Sequence, residues 1–263
     1  IGFYVTRKVF DRGGYNKREI FIISSCFGTG SIGTIGVFAA SFDLLHIFPV
    51  ILLAYLVTIV ATAIVTVRIP PLSRVPKEYI TEPNVEPKLV GSFGDYLRLA
   101  LSEAMEESKS SSSVRAGWKG LIDGIVLTAT ITGTVVAIAT LVLILYYNTQ
   151  LFQVVSAPLE PVSAVFGIPD ADVVSSALII GLADLYVGAL TAVGIAPMAQ
   201  FFVILAVGSQ IIYLSASGPM MMDMFTDVPV RFRDIIAIFA VRTLVLIPIS
   251  AALTHAVSFA GLL

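Results

Sequence analysis

Residues 44–67 read LLHIFPVILLAYLVTIVATAIVTV, twenty-four positions without a charged side chain. A helix needs about 20 mostly apolar residues to cross the hydrocarbon of a bilayer, and this stretch supplies them. Upstream, 20–41 is also apolar, though Gly28, Gly30, Gly33 and Gly36 interrupt it. Only Phe42 and Asp43 separate the two, so together they read as a tight helical hairpin. Downstream, 121–147 is the cleanest span, 173–193 and 201–217 follow, and 235–262 is long enough to tilt or to kink near Pro248. The stretch 151–168 is short and holds Pro158, Glu160 and Pro161, which suits a re-entrant or interfacial piece. The expected fold class is all-α: a polytopic integral membrane protein with about six spans plus this segment.

Composition agrees. Of 263 residues, 57% are hydrophobic and 13% charged, with a mean hydropathy of +0.93. Soluble domains carry roughly 25% charged residues. These values exclude a soluble enzyme, a disordered chain and a nucleic-acid binder, which needs a basic excess; the net charge is −2. The single cysteine, Cys26, forms neither an intrachain disulfide nor a cysteine-based metal site. The start, Ile1-Gly2-Phe3, lacks an initiator methionine and a signal-peptide layout, so the chain is expected to begin inside a longer protein.

Lysine and arginine set the orientation. Arg7, Lys8, Arg12, Lys17 and Arg18 precede the first hairpin, and eight more lie in 68–119. Both flanks are expected on the cytoplasmic side. The middle, 68–119, has too few apolar residues for a core of its own. Within it, Leu89, Val90, Phe93, Leu97, Ala100, Leu101, Ala104 and Met105 recur at helical spacing. That pattern predicts an amphipathic helix, and Ser110 to Ser113 a solvated connector. Three parts result: 1–67, a membrane hairpin; 68–119, a polar cytoplasmic loop; and 120–263, a second membrane region.

Two stretches share a layout. Gly14 is followed by a short lead-in, an apolar run and a small-polar patch ending Phe27-Gly28-Thr29-Gly30. Gly194 is followed by the same sequence of features, ending Val207-Gly208-Ser209-Gln210. Corresponding interrupted apolar segments in two halves point to a transporter site between repeats. Close helix packing through small residues is the stronger reading of either patch alone, and the matching positions of the two weigh against it.

Two charges lie at membrane depth. Asp184 is central in Ile180-Gly181-Leu182-Ala183-Asp184-Leu185-Tyr186, and Arg242 sits well inside the last span. Charges there are costly and face an interior. Asp184 and Arg242 are expected to share one, either as a structural ion pair or with Asp184 holding substrate or a coupling cation and Arg242 as its charge partner. Gln210, Tyr213 and Ser217 share a helix face and, with Ser215, offer an amide, a phenol and hydroxyls to a ligand. Interhelical hydrogen bonding is the competing use of the same groups. Ser24, Ser25, Thr29, Ser31 and Thr34 form the matching patch in the first half.

Other residues carry less. His46 and His255 have no partners at metal-ligand spacing. Asp170 and Asp172 follow Pro169 and are expected to cap the next helix. Asp223 and Asp227 read as solvated, and Met220, Met221, Met222 and Met224 as adaptable packing. Gly28-x-Gly30-x-x-Gly33 matches a dinucleotide fingerprint in letters only, with no preceding strand. No nucleophile–base arrangement is legible, so an enzyme is not expected.

The stretches Tyr15-Asn16-Lys17-Arg18-Glu19 and Arg68-Ile69-Pro70-Pro71-Leu72-Ser73 resemble the YjiH-like family of prokaryotic inner-membrane proteins with a nucleoside-recognition, or Gate, domain. Gly181 to Tyr186, Gln210 to Ser215, and Arg242-Thr243-Leu244 through Pro248-Ile249 resemble that family's later Gate repeat. The resemblance implies a multi-pass protein of the prokaryotic cytoplasmic membrane with Gate-type repeats and an upstream membrane region that this chain lacks. Related domains occur in concentrative nucleoside transporters, the ferrous-iron transporter and spore-maturation membrane proteins.

The expected function is secondary transport of a small polar solute, nucleoside-like or similar, by alternating access. The expected substrate contacts are Asp184, Gln210, Tyr213, Ser215, Ser217, Ser24 and Thr29, with Arg242 as charge partner. No cofactor or metal is expected beyond a coupling ion, sodium or proton. Partners are the bilayer and the solute, with a homo-oligomer or membrane subunit compatible with the small-residue faces and no nucleic acid. The alternative is a non-transporting scaffold or partner subunit that docks through the polar middle.

Overall fold

The computed structural model describes residues 2–11, 13–27, 29–79, 98, 101, 102, 105, 113–210 and 232–263. Among these residues every regular element is helical. In chain order the helices are α1 (Gly2–Asp11), α2 (Lys17–Phe27), α3 (Ile32–Ser41), α4 (Phe48–Thr66), α5 (Ser113–Asn148), α6 (Leu151–Ser156), α7 (Glu160–Val165), α8 (Ala171–Ala183), α9 (Leu185–Leu190), α10 (Pro197–Gly208) and α11 (Phe232–Phe259).

The first hairpin forms as expected. α3 ends at a turn in which Asp43 takes a positive φ of 62°, a conformation that a short polar side chain tolerates. A 3₁₀ turn then leads into α4, which carries a proline in its first turn, where its missing N–H is harmless. Thr58 and Thr66 return their hydroxyls to Ala54 O and Thr62 O. Thr62 Oγ1, between them, is buried without a hydrogen-bond partner.

α4 (as Leu45–Thr66) and α11 (as Ile236–Phe259) are long and apolar enough to cross a membrane. The end of α5 and the following segment, Val135–Asn148 and Leu151–Val165, make a third if taken as one span, but they meet at a 90° bend. The stretch 151–168 is thus a pair of short helices turned off α5. Ser156–Ser176 and Ser163–Ser175 hydroxyl contacts clip them to α8.

The count of six spans is not confirmed: among the described residues three of the expected spans are broken. The stretch 20–41 splits into α2 and α3, and 173–193 splits at Asp184 into α8 and α9. In 201–217 the helix stops at Gly208. α10 has 12 residues, about 18 Å at 1.5 Å per residue, too short for a hydrocarbon layer of about 30 Å.

α9 does not continue α8. It folds back along it, with Gly188 pressed against Gly181 and Ala177. α10 then packs against α3, α4, α8, α9 and α11, and every residue from Ala199 to Gly208 is buried. A helix apolar all round belongs inside a bundle. α10 is the centre of this one.

Asp170 corrects one expectation. It stands before α8 in the left-handed region (φ 54°) and its side chain makes no cap bond. Oδ2 instead accepts from Ala196 N at 3.0 Å, tying the start of α8 to the start of α10. Asp170→Ala is expected to lower thermal stability by about 0.5–1.5 kcal/mol, the usual net worth of one such bond. Asp170→Asn should retain most of it, since an amide oxygen also accepts. Thermal unfolding of the two purified variants checks this; equal losses would reject the tether.

Of the middle loop's amphipathic pattern, Leu101 and Met105 are described, both helical and exposed. The rest of that pattern, Asp223, Asp227 and the methionine run lie outside the described residues.

Candidate functional site

Helix breaks expose main-chain groups that a continuous helix would pair. At depth in an apolar bundle each such group needs a partner. Three breaks meet around the end of α10, and their partners can be traced one by one.

The first break separates α2 from α3. Gly30 N donates to Gly208 O across 3.1 Å, and the Tyr55 hydroxyl of α4 donates to Gly30 O. Ser31 caps α3 by accepting from Thr34 N at 3.1 Å. Thr34 in turn lies 3.2 Å from the Tyr186 hydroxyl of α9. The contact admits no side chain at either glycine without movement. A Cβ on Gly208 would stand 2.6 Å from Ile35 Cδ1, and one on Gly30 would stand 3.2 Å from Gly208 O.

The second break is the α8–α9 tip at Asp184, whose backbone is extended. Its Oδ1 accepts from Val187 N at 2.9 Å, so the carboxylate caps α9 at its positive end. Leu185, the next residue, reaches the Gly30 break. The third break ends α10. Arg242 of α11 donates from Nη2 to Ser209 O at 2.9 Å, placing a cation at the negative end of that helix. Gln210 donates from Nε2 to Thr243 Oγ1 at 2.9 Å. The guanidinium also faces Cys26 of α2 and Tyr55 of α4.

Asp184 and Arg242 are each 1% exposed, and Gln210 is fully buried. The expected Asp184–Arg242 ion pair does not form. Asp184 Oδ2 and Arg242 Nε and Nη1 have no hydrogen-bond partner, and the ion pairs among the described residues lie elsewhere. Each charge serves a different helix end, which is where its first bond goes. Ser209 Oγ and Gln210 Oε1 are likewise buried without a partner. A cluster so incompletely paired offers hydrogen bonds to something else.

The structure thus brings Gln210 and Arg242 together at one break, and places Asp184 at the neighbouring tip and Thr29 beside Gly30. The Ser24 side chain and Tyr213, Ser215 and Ser217 lie outside the described residues. Sequence reasoning missed Tyr55, Ser209 and Thr243. Tyr55 is the one phenol in the 44–67 run, a signal that was available. Thr243 is legible only as the neighbour of Arg242. Among the described residues no group of three or more His, Cys, Asp or Glu could hold a metal ion.

The chain is 29% identical over 267 residues to an uncharacterized protein of Alkalihalophilus pseudofirmus, across 98% of this chain and 56% of that protein. The chain therefore spans about half the length of the curated relative it matches. No family model and no solved structure matches it.

Proposed function

We propose that this chain belongs to a secondary membrane transporter that moves a small polar solute by alternating access. The observation that carries this reading is the meeting of three helix breaks at a buried cluster of unpartnered polar atoms. Discontinuous helices at membrane depth are tolerated where they line a cavity, and in transporters they form substrate and ion sites near mid-membrane.

The repeat read from sequence supports it. α2 opens three residues after Gly14 and α10 three residues after Gly194, and the breaks that follow them bond to each other through Gly30 and Gly208. The Gate-type resemblance points the same way, as does a prokaryotic cytoplasmic-membrane setting. In this reading the broken segments complete a six-span unit. Asp184 receives a coupling cation, sodium or proton, through Oδ2. Gln210, Tyr213, Ser215 and Ser217 line the solute site, and Ser24 and Thr29 supply the opposite wall.

The test begins with thermal stabilisation of the full-length protein by nucleosides, amino acids, short peptides and carboxylates, with and without sodium. A ligand at 100 times its Kd adds about 2.7 kcal/mol. Uptake of the stabilising solute into proteoliposomes follows. Asp184→Asn retains a cap, since asparagine also caps helices well, so the protein should fold normally. Its gradient-driven uptake is expected to fall at least about tenfold, the effect of some 1.4 kcal/mol lost from the coupling-ion site. Unchanged uptake would remove Asp184 from coupling. Silence across the panel in folded protein would favour the scaffold reading.

A further inference from the structure

The unpartnered N–H groups of Arg242 narrow the solute. We infer that the site at the end of α10 takes the carboxylate of a small organic anion that also carries a hydrogen-bond donor, such as a hydroxycarboxylate. The inference rests on the transport reading and specifies its substrate class.

Arg242 is a permanent cation with 1% of its surface exposed. One N–H goes to Ser209 O. That bond meets a carbonyl. Among the described residues the Cys26 side chain hydrogen-bonds the guanidinium and Tyr55 lies close to it. No ion pair reaches it among the described residues, and Asp184 is bonded to α9 instead. Nε and Nη1 are both buried without an acceptor. A buried guanidinium with unused N–H groups is complementary to a carboxylate, whose two oxygens accept in its plane.

The neighbouring groups fit the rest of such a molecule. Ser209 Oγ is unpartnered and has a hydroxyl proton to give the carboxylate. Gln210 holds its amide nitrogen on Thr243, which leaves Oε1 as a buried acceptor with nothing to accept from. A hydroxyl or amine on the ligand fills that position. The amino-terminal end of α3 opens at the same break and adds the positive end of its dipoles. Asp184, a carboxylate itself, stays available for a cation, so an organic anion and a coupling cation occupy different groups.

The experiment measures thermal stabilisation of the full-length protein in detergent at neutral pH. The probes are glycolate, lactate and malate, each beside its uncharged amide, with propionate as the hydroxyl-free counterpart of lactate and with uridine and adenosine. A carboxylate is expected to raise the unfolding midpoint where its amide does not, and lactate should act at lower concentration than propionate. In Arg242→Gln the carboxylate effect should vanish, and in Arg242→Lys it should need at least tenfold more ligand, since lysine lacks the planar fork. If Arg242→Gln fails to fold, the acid–amide comparison on the unaltered protein still decides. Equal effects of acid and amide, stabilisation by a nucleoside alone, or a carboxylate effect that survives in Arg242→Gln would overturn the anion while leaving transport standing. No effect of any carboxylate on folded protein overturns the anion as well. If proteoliposomes also take up none of the probes and none of the wider panel, the transport reading falls with it.

Discussion

Gly188→Ala is expected to destabilise the protein by about 3 kcal/mol or more, at the upper end of what overpacking costs. The added Cβ would lie 2.6 Å from Gly181 N, 2.7 Å from Gly181 Cα and 2.8 Å from Ala177 O. All three are main-chain atoms of α8, so no side-chain rotation relieves them. α9 has to lift from α8, which moves the Asp184 tip and the Leu185 contact with Gly30. The control is Gly124→Ala in α5, where a new Cβ meets nothing within 4 Å. There alanine should stabilise by about 0.5–1 kcal/mol through helix propensity. Unfolding midpoints of both variants in detergent test the contrast. A Gly188→Ala protein as stable as the unaltered one would mean that α9 does not lie folded against α8.

The second large effect separates folding from binding at Arg242. On insertion scales a guanidinium at the bilayer centre costs about 2.5–3.5 kcal/mol, and its bond to Ser209 O returns about 1.5–3 kcal/mol. Methionine removes both terms and leaves one carbonyl unpaired, at about 1–3 kcal/mol. The terms nearly cancel, so Arg242→Met should unfold within a few degrees of the unaltered protein when no solute is present. Solute stabilisation and uptake should both be lost. A residue that contributes so little to the empty protein, yet is required when solute is present, serves the solute. A fall in midpoint as large as that of Gly188→Ala would instead make Arg242 a structural cap on α10.

Much of the helical character was legible because apolar runs near the bilayer's length have few other solutions. The α3–α4 hairpin, the long apolar α11 and the short helices after α5 all left marks in the chain: a two-residue turn, a long apolar run, a pair of prolines. The breaks were legible only as composition. Gly28 to Ser31 and Gly208 to Gln210 announced small-polar patches, but a patch reads equally as a packing face until a partner is seen. Asp184 shows the limit most directly. A carboxylate in an apolar run suggested a buried pair, whereas the chain reverses there and the side chain caps the returning helix. Local sequence shows the charge but not the reversal, which depends on Gly188 meeting Gly181 across the turn. Asp170 was misread for a similar reason, since its partner, Ala196, lies beyond the whole α8–α9 hairpin.

The hydrogen bond between Gly30 and Gly208 also sets an order of events during synthesis. Gly30 leaves the ribosome long before Gly208 exists. In the transport reading proposed above this break lies in hydrocarbon, where its N–H has no mate until then and an unsatisfied backbone group costs several kcal/mol. The opening hairpin therefore cannot rest at its final depth when it is made. It has to wait near the lipid headgroups, or under the care of an insertion factor, until α10 arrives. Chains truncated before residue 208 should accordingly be caught by membrane quality control, although both helices of their first hairpin are complete.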